Sequence, residues 1–152
     1  MDNVTLRIIF QISLAAFLGA LIGFERRYSR KAAGMRTYAL IALGSALFTI
    51  LSAEGLGSDL GISSLDPSRI ASQVVVGVGF LGAGLIFLQG GQVKGLTTAA
   101  GIWATAAMGM SIGFQMYAVA VAAAALIIFI LFALWLVEEK LMIMEHKEDE
   151  RD

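Results

Sequence analysis

Residues 95–137 read GLTTAAGIWATAAMGMSIGFQMYAVAVAAAALIIFILFALWLV, and none of these 43 residues is charged. Three further blocks, 8–24, 37–53 and 70–93, also lack Asp, Glu, Lys and Arg, so 101 of the 152 residues lie in charge-free stretches. A small soluble domain keeps much of its surface in water and cannot hide so large an uncharged share. The composition, 58% hydrophobic before 17 glycines are counted and only 15% charged, departs from that of soluble domains in the same direction. We therefore predict an integral membrane protein.

The residue counts exclude several classes of chemistry. The chain has no cysteine, which removes disulfides, thiolate metal sites and a thiol nucleophile. Its single histidine, His146, lies in a charged tail, so a Ser–His–Asp site or a multi-histidine metal site is not expected. The net charge is −1 and no basic tract with interleaved aromatics occurs, so no nucleic-acid partner is expected either. We predict a protein that is not an enzyme and has no cofactor.

The charge-free blocks predict five membrane helices, since about 20 mainly apolar residues cross a bilayer. The block 95–137 is too long for one span and is interrupted by glycines and Gln115. The fold class is therefore an all-α bundle of about five transmembrane helices. We predict a transmembrane domain over 1–137 and a charged tail over 138–152, with helices near 6–24, 37–53, 70–88, 96–113 and 116–137.

The distribution of Lys and Arg predicts the orientation. The first connection, the third connection and the tail together hold nine of the 11 basic residues, and only Arg7 and Arg69 fall on the other side. This places the N-terminus outside and the C-terminus in the cytoplasm. A cleaved signal peptide would carry its positive charge before the apolar stretch, whereas here the basic cluster follows it, so residues 1–24 are expected to be retained.

Small residues predict how the helices pack, because lipid gives no hydrophobic gain for helix contact and close packing must supply it. One stripe runs along helix four, and another runs along helix one through Gln11, Ala15, Gly19 and Gly23. Helix three carries glycine on two opposite faces, which predicts a central position. Packing is favoured over a substrate path for these glycines. The expected packing glycines are Gly19, Gly23, Gly77, Gly79, Gly82 and Gly84, and the helix-four stripe is Gly101, Thr105, Gly109 and Gly113.

Polar residues mark the start of helix three. Asp66 precedes Pro67, an arrangement typical of a helix N-terminus, and capping or a further functional role would both account for Asp66. Arg69 and Gln73 continue a polar edge down the outer third of the helix. Exposing them to lipid would be costly, so both are expected to face the bundle.

Four blocks of the sequence together resemble the signatures of the MgtC/SapB membrane protein family. They are Gly19–Arg26 (GALIGFER), Gly34–Thr37 (GMRT), Asp66–Val75 (DPSRIASQVV) running into Gly77–Gly84, and Val93–Ala100 (VKGLTTAA) followed by Trp103. The resemblance marks Glu25, Arg26, Arg36, Thr37, Asp66, Arg69, Gln73, Thr97 and Thr98 as candidate functional residues, with no metal ligand assigned.

The resemblance implies a protein of the bacterial inner membrane linked to growth under low magnesium and to virulence. Its best-known member acts on the F-type ATP synthase, which makes subunits of that enzyme an expected partner beside the lipid bilayer. That member also carries a folded cytoplasmic domain, where this chain has 15 residues after Val137, and any activity of that domain is expected to be absent. Exposed small-residue faces are also compatible with a homo-oligomer such as a dimer.

Two functions follow as hypotheses. The first is a non-enzymatic regulator that acts by helix–helix contact, with the stripes on helices one and four as candidate surfaces. The second is a transporter or channel for Mg²⁺ or another small ion, although Mg²⁺ usually takes one or two carboxylates and the charge-free blocks contain none. We also expect Glu25, Arg36, Thr97 and Thr98 to gather at the cytoplasmic boundary, while Arg27, Arg30 and Lys31 contact anionic lipid.

Overall fold

The computed structural model describes residues 2–54 and 68–149. Within these ranges the chain forms five helices and one short hairpin. The helices are α1 (Asn3–Tyr28), α2 (Met35–Glu54), α3 (Ser68–Ala83), α4 (Leu96–Gly113) and α5 (Tyr117–Asp149), and the hairpin strands are β1 (Phe87–Gln89) and β2 (Gln92–Lys94). Each predicted helix therefore has a counterpart. The main difference for the last helix is that α5 continues through most of the predicted tail.

Three of the described helices are long and apolar enough to cross a membrane: Asn3–Tyr28, Met35–Ala53 and Tyr117–Leu136. Helix α3 has 16 residues and extends about 24 Å at 1.5 Å per residue, less than the hydrocarbon thickness of about 30 Å. The all-helical fold is thus confirmed, while five complete spans and their orientation stay predictions.

Helix α2 packs against both α1 and α4, and glycines let both neighbours approach its backbone. A methyl group added at Gly19 of α1 would lie 2.5 Å from the carbonyl oxygen of Tyr38. One added at Gly113 of α4 would lie 2.6 Å from Cβ of Thr49. At Gly109 it would meet the carbonyl oxygen of Ala42. The two small-residue stripes predicted from the sequence are therefore internal packing surfaces, and both face α2.

The prediction that the third helix is central is wrong. Helix α4 contacts each of the other four helices, whereas α3 packs on α2 and α4 at the side of the bundle. The buried residues of α3 form one stripe, Ala71, Val74, Val78 and Gly82. A methyl group at Gly77 or Gly79 would meet no described atom within 4 Å. Contrary to expectation, these two glycines are not packed against another described helix. A glycine allows a second helix to approach closely, but it does not by itself bring a helix to that position.

The third helix also ends earlier than residue 88. After Ala83 the chain turns into the antiparallel hairpin, in which Leu88 pairs with Val93. The two residues between the strands, Gly90 and Gly91, have φ of +61° and +77°, the sign that a type I′ turn requires at both central positions. This glycine pair was the available sequence signal for the hairpin. It lies inside a charge-free block, where the apolar character favoured a longer helix.

Helices α1 and α4 both end in a Schellman motif built on a residue other than glycine. After α4, the N–H of Met116 donates to the carbonyl of Ser111 at 2.8 Å, and that of Gln115 to Ile112 at 2.9 Å. After α1, the N–H groups of Lys31 and Arg30 bond to Arg26 and Arg27 in the same pattern. The left-handed position is taken by Arg30 at φ 54° and by Gln115 at φ 63°. Glycine normally occupies it because a side chain there costs about 1–2 kcal/mol.

Replacing Gln115 by glycine is therefore expected to stabilise the protein. Gln115→Gly removes the steric cost of the left-handed conformation and should raise the free energy of unfolding by about 0.5–1 kcal/mol. Thermal unfolding of the purified protein in detergent measures the change. Gln115→Ala is the matched control, because it shortens the side chain but keeps Cβ and should give no gain. A higher melting temperature for the alanine variant than for the glycine variant would contradict the assignment.

Candidate functional site

The candidate site is built on a buried ion pair at the C-terminal end of α1. Arg26 is 1% exposed and Glu25 is 7% exposed. The guanidinium donates twice to the carboxylate, from Nε to Oε2 and from Nη2 to Oε1, the latter at 2.7 Å. Neighbouring helix residues do not normally face each other, so this bidentate contact requires both side chains to turn toward the interior together. The two charges neutralise each other inside the bundle.

Two further hydrogen bonds connect the pair to Ser29, just after α1, and to α5. Ser29 Oγ donates to Glu25 Oε1 at 2.7 Å, and Arg26 Nη2 donates to the carbonyl of Leu131 in α5 at 3.1 Å. Tyr38 of α2, which is fully buried, donates its hydroxyl to the carbonyl of Thr98 in α4 at 3.3 Å. We call this group of side chains and their acceptors the Glu25 cluster: Glu25, Arg26, Ser29, Tyr38, Thr98 and Leu131. It touches four of the five helices.

The chemistry available to Glu25 is limited by these bonds. Its carboxylate accepts two bonds from Arg26 and one from Ser29, so its charge is compensated and its oxygens are occupied. Across residues 2–54 and 68–149 the structure brings together no group of three or more His, Cys, Asp or Glu that could hold a metal ion. The arrangement is therefore suited to fixing helices in place. A buried charge left without its partner would be strongly unfavourable, so the pair acts as a unit.

Only part of the predicted boundary cluster forms. Glu25 and the Thr98 carbonyl belong to the Glu25 cluster, but Arg36 and Thr97 are exposed and, in the described part of the chain, no hydrogen bond or ion pair joins them to Glu25. Arg36 lines a separate cavity at the start of α2. The expected gathering is wrong for these two residues because the adjacent Arg26 already compensates the carboxylate.

The polar residues of α3 also lie elsewhere than expected. Arg69 and Gln73 are exposed on the side of α3 away from its buried stripe, so neither is enclosed by the bundle. Gln73 does line an apolar groove of about 460 Å³ between α2 and α3, opposite Ser45 and Gly44. Asp66 lies outside the described residues.

Sequence reasoning missed two polar contacts. Tyr38 gave no signal because an aromatic residue in an apolar helix usually indicates packing. Gln11 was recognised only as a member of the small-residue stripe, yet its fully buried amide donates to the carbonyls of Ile112 and Gly113 at 2.8 and 3.3 Å. Carbonyls in the last turn of a helix have no partner in the regular helical pattern, and Gln11 caps this end of α4 from α1 by bonding to Gly113 and by adding a second donor to Ile112, which also accepts from Gln115. A glutamine in an otherwise apolar run was the signal available for this role.

Comparison with known proteins identifies the family. The sequence pattern of the MgtC family matches residues 12–140. The chain belongs to the MgtC family. It is 52% identical over 115 residues to a protein of Escherichia coli K12 named "Putative magnesium transporter YhiD", a match that covers 74% of this chain and 54% of YhiD. No solved structure matches the chain.

Proteins named MgtC from two other bacteria are similar to the chain over shorter shares of their length. The Brucella abortus protein is 46% identical over 99 residues, covering 65% of this chain and 39% of its own. The Salmonella typhimurium protein is 42% identical over 120 residues, covering 79% of this chain and 49% of its own. The chain thus spans about half the length, or less, of these curated MgtC-family relatives.

Breaking the ion pair should destabilise the bundle. Glu25→Gln leaves the Arg26 guanidinium buried without a counter-charge, and we expect a loss of about 3 kcal/mol in the free energy of unfolding. Thermal unfolding in detergent and the size-exclusion profile report the loss. Lys31→Gln is the control, because Lys31 is exposed and should tolerate neutralisation. Similar losses for Gln at positions 25 and 31 would show that burial of the pair does not matter.

Proposed function

We propose that this MgtC-family chain is a non-enzymatic protein of the bacterial inner membrane that supports growth under low magnesium by helix–helix contact with a membrane partner. The observation that carries the proposal is the outward face of α3, which we define as Arg69, Ser72, Gln73, Val76, Gly77 and Phe80. All six are exposed and none belongs to the stripe that packs on α2 and α4, although Gln73 and Gly77 also line the open groove between α3 and α2. The face is not covered by any described part of the chain.

The composition of the outward face of α3 is unfavourable for contact with lipid alone. An arginine or a glutamine amide in hydrocarbon loses its hydrogen bonds to water, and polar side chains of membrane helices usually find partners on another helix. Gly77 leaves the helix backbone open to close approach. A polar group beside a glycine is typical of membrane helix interfaces. These properties support a partner helix on this face.

The other candidate surfaces are already occupied. The stripes on α1 and α4, suggested by the sequence as contact surfaces, are filled by α2. Most of the remaining outer surface carries large apolar side chains such as Phe17, Phe48 and Leu126, which suit lipid tails. The outward face of α3 therefore remains as the polar, glycine-containing surface within the described helices.

The partner implied by the family is the F-type ATP synthase, whose subunits share the inner membrane. The proposal places the N-terminus outside and the end of α5 in the cytoplasm, in agreement with the Lys and Arg distribution. A second copy of this chain is the other occupant that the same face would suit, which the experiment below separates from the synthase.

A second candidate function is favoured by the similarity to YhiD, a protein named "Putative magnesium transporter". Mg²⁺ requires near-octahedral oxygen ligands. The charge-free blocks hold no carboxylate, and Glu25 is neutralised by Arg26. The groove between α2 and α3 is mainly apolar, with Ser45 and Gln73 as its polar side chains. These features favour a function through helix–helix contact over the conduction of Mg²⁺.

The outward face of α3 is tested by substitutions that leave the bundle intact. Gln73 is exposed and a Cβ at Gly77 would meet no described atom within 4 Å, so Gln73→Leu and Gly77→Leu should leave the protein folded. Both should abolish rescue of a deletion strain at low magnesium and reduce co-purification of ATP synthase subunits in mild detergent. Ala125→Leu, an equally bulky change on an exposed position of α5, should do neither. Unimpaired rescue by both α3 variants would refute the contact surface.

The control measurements separate the alternatives. Loss of a crosslinked homodimer in the α3 variants, with synthase subunits never recovered, would assign the face to a second copy instead. Mg²⁺ uptake by proteoliposomes should equal that of empty vesicles. Mg²⁺ uptake above that background would favour transport over helix–helix contact as the function.

A further inference from the structure

A cavity of about 410 Å³ opens where the first connection enters α2. Arg27, Gly34, Met35, Arg36 and Thr37 line it. It is separate from the Glu25 cluster and from the outward face of α3, and neither the family match nor the names of the relatives assigns it a role. Two of its five lining residues are arginines, which makes it the most basic of the cavities described.

The arginines of this cavity carry uncompensated charge. Arg27 and Arg36 are both exposed and form no ion pair with any residue in the described ranges. The acid nearest to them in sequence, Glu25, is occupied by Arg26. Arg30 and Lys31 on the same connection are exposed as well and add to the positive field. An anion entering the cavity would therefore meet no described carboxylate that competes for the guanidinium groups.

The backbone supports the same preference. Gly34 accepts the first helical hydrogen bond of α2, from the N–H of Tyr38 at 3.1 Å, so the amides of the first turn have no acceptor within the helix. Such amides and the helix dipole favour an anion at this end. The side chain of Arg27 runs past Gly34, because a Cβ placed there would lie 3.8 and 3.9 Å from its Cβ and Cδ. Thr37, whose hydroxyl can donate a further hydrogen bond, also lines the cavity.

We propose that this cavity binds a phosphate group. Two planar guanidinium forks, a hydroxyl and helix-start amides match the oxygens of a phosphate, which accept several bonds at once and which arginine engages in bidentate fashion. The phosphate belongs either to an anionic lipid headgroup or to a free phosphate compound. The site extends beyond the proposed helix contact and does not depend on it, since the outward face of α3 contributes no residue.

The test uses the full chain purified in non-ionic detergent at a salt concentration of about 0.15 M, so that diffuse attraction is screened. Short-chain phosphatidylglycerol and inorganic phosphate are titrated separately by calorimetry, with short-chain phosphatidylcholine as the blank. Arg27→Gln combined with Arg36→Gln is compared with Arg30→Gln combined with Lys31→Gln. Both double variants remove two positive charges, but only the first changes the cavity.

The proposal predicts saturable binding of at least one probe. The cavity variant should weaken it by about tenfold or more, as expected for loss of charge-assisted bonds, and the control variant by less than about threefold. Binding of phosphatidylglycerol alone identifies a lipid headgroup, and binding of inorganic phosphate identifies a free compound. Absence of saturation with both probes, or equal weakening in the two double variants, would overturn the site.

A second pair of variants keeps the test decisive if the cavity variant does not purify as a single species. Arg27→Lys and Arg36→Lys retain the charge but lose the planar fork. Each should weaken binding by about threefold or more if the guanidinium geometry matters. Unchanged affinity in both would show that the positive charge attracts anions without a built site.

Discussion

The structure depends on the close approach of α1 and α4 to the backbone of α2. In a membrane the apolar side chains of a helix gain little by leaving lipid for another helix, so van der Waals packing between backbones has to hold the bundle together. Gly19 and Gly109 both make this contact at one residue, Ala42. Because both helices use their glycine stripes on α2, the stripes are unavailable to other proteins. Other proteins can therefore contact the bundle only on surfaces outside the α1–α2 and α2–α4 contacts.

Hydrogen bonds from buried polar side chains add to the glycine packing at both ends of the bundle. Where α1 reaches the far end of the bundle, Arg26 bonds to the carbonyl of Leu131 in α5, and at the other end Gln11 bonds to the last carbonyls of α4. Each contact compensates a buried polar group that would otherwise be costly. The charge of Glu25 is neutralised by Arg26 within the bundle. Glu25 therefore does not compensate Arg27 and Arg36, which expose their positive charge at the surface. Internal neutrality and an outward basic cavity thus come from one arrangement.

Much of this fold could be predicted from the sequence, because charge-free length and small-residue spacing are local properties. The stripes at Gly19 and Gly109 and the break near Gln115 follow directly from them. The position of α3 could not be predicted, since Gly77 permits close packing but does not determine whether another helix packs against it. Glu25 was recognised through its family resemblance, whereas its partner was mistaken: pairing with Arg26 depends on how two adjacent side chains turn, which spacing along a helix does not reveal. Tyr38 was missed because burial of its hydroxyl depends on where α4 lies.

The close approach to α2 is tested most directly by the melting temperatures of Gly109→Ala and Gly77→Ala in the same detergent. The same methyl group is added to a helix in both. At Gly109 it would press on the backbone of Ala42, which should lower the free energy of unfolding by about 1–3 kcal/mol. At Gly77 it would enter open space, and removing glycine from a helix should leave stability unchanged or raise it by up to about 1 kcal/mol. Equal shifts, or a larger loss at Gly77, would contradict the packing of α4 on α2.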